Sequence, residues 1–126
     1  MPTGFEGIES GAALPNRLIN LTDWLIEVLK KQAAGTAITG KDICHLARAE
    51  RKTDIEGPDV RAMVNYLRRR EEPVGSVSDG YFYATQRQEL DSTILHLKER
   101  MAGIGSALRG LEMAKAKIIK GQQDLF

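Results

Sequence analysis

Few residues in this chain have the types and spacing for chemistry, and those present suit recognition better than catalysis. Arg61 and Asn65 stand one helical turn apart. An arginine pairs bidentately with guanine and an asparagine with adenine, so such a row can read base edges. Arg68, Arg69 and Arg70 follow directly, and Lys41 lies upstream. These four are expected to meet phosphates. The opposing reading is a solvated charged face, because Asp59, Glu71 and Glu72 lie nearby and phosphate repels them. His45 and His96 are the only histidines, and neither has a partner at metal-ligand spacing. Cys44 is the single cysteine and reads as a small buried hydrophobe. No nucleophile stands beside a positioned base, and no metal cluster is evident. Gly103-Ile104-Gly105 follows no strand, so it is not a phosphate loop. The expectation is a non-enzyme with no cofactor and no metal.

Composition narrows the class further. The chain has 126 residues with a formal charge of +1, 42% hydrophobic and 6% aromatic. That size allows one small domain with an extension. Near-neutral charge removes the simplest argument for nucleic-acid binding, so any such role rests on local basic patches. One cysteine forbids an internal disulfide, which fits a reducing cytoplasm. No apolar run reaches membrane-span length, and the start lacks the pattern of a signal peptide, so a cytoplasmic protein without a membrane partner is expected.

The elements that must position these residues follow from the pattern. Residues 1–15 are small and polar and read as a flexible arm. Leu18, Leu21, Leu25, Val28 and Leu29 mark one face of a first helix, capped by Asn16 or Asn20, with Trp24 packing beside that face. It is expected to end between Gln32 and Gly35. Thr39 opens a second helix by capping Asp42, with Ile43, Leu46 and Ala47 buried. Residues 50–56 form a polar connector. Gly57-Pro58-Asp59 begins a third helix with Val60, Met63, Val64 and Leu67 as its apolar stripe. Strands are expected over Val74–Ser78 and Tyr81–Ala84, joined at Asp79-Gly80. Alternation puts Phe82 on one face and Tyr81 and Tyr83 on the other. One face must pack on the helices, so core use is preferred to a base-stacking platform. The order is that of a winged helix-turn-helix over residues 16–85, mainly α with a small β-hairpin.

Thr85, with Gln88 at its third position, is expected to cap a long helix over residues 86–120. Leu90, Ile94, Leu97, Met101, Ile104, Leu108 and Leu111 step by four and three, the seam of a coiled coil. Lys115 interrupts it and Ile118 resumes it. Either a second copy covers this seam or the upstream domain folds back on it; pairing, as a homodimer, is preferred. Flanking positions give no evident orientation. Gly121 is expected to stop the helix and free residues 121–126 as a peptide tail.

The run from Thr39 to Met113 resembles small winged-helix proteins of bacteriophage and prophage replication regions. Val60-Arg61, Leu67-Arg68-Arg69, Pro73-Val74, Ser76-Val77-Ser78, Gly80-Tyr81-Phe82-Tyr83-Ala84 and Glu89-Leu90 carry the likeness. A longer connector and Asp79 at the hairpin tip depart from it. The end, Gln122-Gln123-Asp124-Leu125-Phe126, resembles the bacterial sliding-clamp-binding peptide, with Gln123 where Leu is usual. That likeness implies that Gln122, Asp124, Leu125 and Phe126 contact a clamp groove, with Leu125 and Phe126 as apolar anchors. Together the expectations describe a dimeric, double-stranded-DNA-binding accessory protein tethered to the replicative sliding clamp. The alternatives are a dimeric transcriptional regulator and a protein–protein adaptor that binds no DNA.

Overall fold

The computed structural model describes residues 13–32 and 36–124, with side chains as far as residue 119. The chain divides into two compact units, Met1–Leu90 and Asp91–Phe126. The first is a winged helix-turn-helix and the second is one long helix.

Helix α1 spans Asn16–Lys30. Leu18, Leu21, Leu25, Val28 and Leu29 are buried at helical spacing, and Thr22 joins them by donating its hydroxyl to the Ile19 carbonyl. Pro15 occupies the N-cap position, so Asn16 is the first helical residue and not the cap. Trp24 is half-buried at the core rim, where its Nε1 donates to Glu50 Oε1 at 3.0 Å. A two-residue strand β1, Ile38–Thr39, leads into α2, Gly40–Arg51. Thr39 Oγ1 accepts from the Asp42 amide at 3.1 Å, as its position ahead of the helix requires. Ile43 and Ala47 are fully buried.

The connector is shorter than residues 50–56, because α2 continues to Arg51. Lys52 takes a left-handed conformation (φ 52°) and ends the helix. The connector is also not merely polar, since Ile55 is buried in the core. Helix α3, Gly57–Arg69, then starts with Pro58 in its first turn and Asp59 Oδ2 accepting from the Glu56 amide at 2.9 Å. Val60, Met63, Val64 and Leu67 form its buried stripe.

Strands β2 (Val74–Val77) and β3 (Gly80–Tyr83) pair antiparallel, and β1 adds to the free side of β3, giving the order β1-β3-β2. The turn is Ser78-Asp79, one residue earlier than Asp79-Gly80, and Ser78 carries the positive φ of 50°. Gly80 pairs with both Val77 and Thr39. A side chain there would put its Cβ 2.8 Å from that of Ala37, so this glycine serves the close approach of β1. The face bearing Tyr81 and Tyr83 packs on the core, and Lys30 Nζ stands 5.0 Å from the centre of the Tyr83 ring. Phe82 lies over Gly75 on the opposite face, where a Cβ would strike its ring. The tyrosines are thus partly buried and packed against the core, as the alternation predicts.

A 3₁₀ turn, Arg87–Leu90, precedes α4, Asp91–Asp124. The expected start at Thr85 is displaced because the cap is built the other way round. Glu89 Oε1 accepts from the amides of Thr85 and Gln86, each at 2.8 Å. These bonds to the charged form hold the Glu89 carboxyl below its ordinary value of 4.5. The carboxylate therefore supports this turn above pH 4.5, and the support is lost as acid titrates the folded form below it. Glu89→Gln should remove an acid-dependent loss of helicity seen by far-UV circular dichroism below that pH; an unchanged acid profile would refute the assignment. Gly121 does not stop α4, whose backbone stays helical to Asp124. One glycine costs only about 1 kcal/mol relative to alanine, too little to break a helix that has already run from Asp91. Leu125 and Phe126 lie outside the described residues.

Candidate functional site

Successive residues turn 100° around a helix, so the buried stripe of α3 fixes where its other side chains point. With Val60, Met63, Val64 and Leu67 facing the core, Arg61, Asn65 and Arg69 form a row across the opposite side. Arg61 and Arg69 are exposed, and Asn65 is half-buried. The Arg61 guanidinium leans back over the first turn, with Nη1 3.5 Å from where a Cβ on Gly57 would stand. Arg70, just past the helix end, lies over the Tyr66 ring at 5.5 Å from its centre. It remains exposed, as does Lys41 in the first turn of α2.

Arg68 departs from this set. Its Nε donates to the Val74 carbonyl at 2.8 Å, and Nη2 reaches Ser76 Oγ at 3.4 Å. Burial holds its pKa below the ordinary guanidinium value, although arginine stays charged in either case. The side chain joins α3 to β2 and is not aimed outward toward phosphate. An arginine at the edge of an apolar stripe can bury its stem and spend its head on a nearby strand carbonyl. Its place four residues after buried Val64 sets Arg68 at that edge, whereas Arg69 lies opposite the stripe; the strand carbonyl it finds there is set only by the fold.

Two carboxylates expected to repel phosphate are held by internal partners. Asp59 caps α3 and accepts from Arg17 Nη2 of α1 at 3.1 Å. Glu72 accepts the Tyr83 hydroxyl at 2.9 Å, and this bond is the main reason that the Tyr83 pKa is raised. Arg17 went unnoticed in the sequence because its partner is far along the chain. Glu71 and Asp79 are exposed.

No family model matches the chain, and no curated protein or solved structure matches it. The arrangement must therefore be read on its own chemistry. Among the described residues, no group of three or more potential ligands could hold a metal. Cys44 is half-buried, and burial, with Asp59 and Glu56 nearby, pushes its thiol pKa up, which lowers its reactivity. No described helix is long and apolar enough to cross a membrane.

On α4 the expected seam is bare. Ile94, Leu97, Met101, Ile104, Leu108 and Leu111 are each at least 40% exposed, and Leu90 is half-buried in the preceding 3₁₀ turn. A run of this length is far more apolar surface than scattered surface residues provide. Of the proposed tail contacts, Gln122 and Asp124 have helical backbone and no described side chain.

Proposed function

We propose that this chain is a non-enzymatic, winged-helix accessory protein that binds double-stranded DNA as a homodimer. The observation that carries the reading is the Arg61–Asn65–Arg69 row opposite the buried stripe of the second helix of a helix-turn-helix, with Arg61 and Arg69 exposed and Asn65 half-buried. That helix is the one such folds insert in the major groove, where arginine and asparagine read guanine and adenine. Arg70 and Lys41 add charge toward phosphate. The bare seam of α4 supports pairing, and the lone cysteine suits a cytoplasmic setting. Binding of the full chain to a mixed-sequence duplex, followed by fluorescence anisotropy against salt, tests this. Affinity should fall linearly on logarithmic axes; no binding at low salt would reject it.

The C-terminal peptide extends the proposal to a tether on the sliding clamp, as in phage or prophage replication. Fraying the last turn of a helix costs little, so helical backbone at Gln122 is no barrier to engagement. Deletion of residues 122–126 should abolish capture by an immobilised bacterial clamp while leaving DNA affinity unchanged. Equal capture with and without the peptide would remove the tether. The adaptor reading draws support from Asp79, an exposed carboxylate at the wing tip.

A further inference from the structure

The flanking charges of α4 fix no orientation along one helix, but paired across two copies they do, and we propose that two copies pair antiparallel, with Leu108 of each meeting Ile104 of the other. The inference rests on the dimer reading above and adds orientation and register.

The seam assigns every other position. Ile94, Met101, Leu108 and Lys115 occupy one set of core sites, and Leu97, Ile104, Leu111 and Ile118 occupy the other. Lys98, Gly105 and Glu112 then flank the seam on one side, and Arg100, Ala107 and Ala114 on the other. In a parallel pair, each residue of one flank faces the other flank of the partner. Lys98 then meets the partner's Thr93, and Glu112 the partner's Ala107, so neither gains an opposite charge. Lys115 also faces the partner's Lys115 within an apolar seam, which is repulsive.

In an antiparallel pair each flank faces itself. With Leu108 against the partner's Ile104, Met101 meets the partner's Leu111 and Ile94 the partner's Ile118. Lys98 then faces the partner's Glu112, and by symmetry the pair forms twice. Gly105 faces the partner's Gly105 and Ala107 the partner's Ala107, which lets the backbones approach at the centre. Each Lys115 lies against the partner's Leu97 toward one end, well away from its own mate, where its long stem can carry the charge outward. Sliding the register by one heptad replaces the attraction with Asp91 against the partner's Glu112. Lys98, Glu112 and the seam residues are all exposed, so nothing in the helix must rearrange.

The test uses the full chain carrying Cys44→Ala and Ser92→Cys, with a spin label at position 92. Antiparallel pairing sets the two labels about 40 Å apart along the bundle, from a rise of 1.5 Å per residue; parallel pairing leaves about two helix diameters, roughly 20 Å. Sedimentation supplies the oligomeric state. A long distance supports the proposal. A dimer with the short distance overturns the orientation but keeps the dimer, whereas a monomer at every concentration overturns both. Lys98→Glu should weaken dimerisation on the order of tenfold, and adding Glu112→Lys should restore it. Failure of the second change to restore it overturns the register.

Discussion

Ile43→Ala should lower the stability of the winged helix by about 2–5 kcal/mol, the range for truncating a buried isoleucine. Ile43 is 0% exposed, and it lies on α2 against the helix that carries the arginine row. The substitution removes its transfer free energy and leaves a cavity between elements fixed by other contacts, so the site cannot fully collapse. A domain of this size has about 5–15 kcal/mol in total, and the loss is a large part of it. Trp24, the single tryptophan, sits at the rim of the same core and reports the transition by fluorescence. The urea midpoint should fall with an unchanged slope. A loss under about 1 kcal/mol would mean that α2 and α3 do not pack as described. Ile43→Val, which removes one methylene, should cost about 0.5–1.5 kcal/mol by the same mechanism.

Arg61→Ala combined with Arg69→Ala should weaken DNA binding by roughly 30- to 25,000-fold, given about 1–3 kcal/mol for each base-reading or desolvated arginine contact. If both arginines displace counterions, the salt slope should also drop by about 2. Both side chains are exposed, so the melting curve should hardly move. Arg68→Gln should behave in the opposite way. Its guanidinium serves the Val74 carbonyl, and removing a charged donor from a half-buried acceptor costs about 1–3 kcal/mol of stability. Its salt slope should remain near that of the parent. If Arg68→Gln changed the slope and the Arg61/Arg69 pair did not, the row on α3 would not be the DNA-reading surface. Measuring stability and salt dependence on the same variants separates a reading role from a folding role, which affinity alone does not.

The sequence by itself determined whatever depends on near neighbours. Spacing of three and four placed α1, α2 and α3 with their buried stripes, because a helix repeats its faces within one turn. Thr39 marked a helix start for the same local reason: a hydroxyl can reach an amide three residues on. The hairpin and the seam of α4 were equally legible as short periods. Tertiary structure alone decided what depends on partners far along the chain. It drew Arg68 from the phosphate-facing set to β2, engaged Asp59 with Arg17, and showed β1, two residues too short to declare any alternation. It moved the turn to Ser78-Asp79, since the register there answers to the pairing of Gly80 with Thr39. The run of α4 through Gly121 is a different case, a local stop signal outweighed by an already propagating helix. Side chains choose among alternative hydrogen-bond partners only after distant segments have been brought together, and no local spacing encodes that choice.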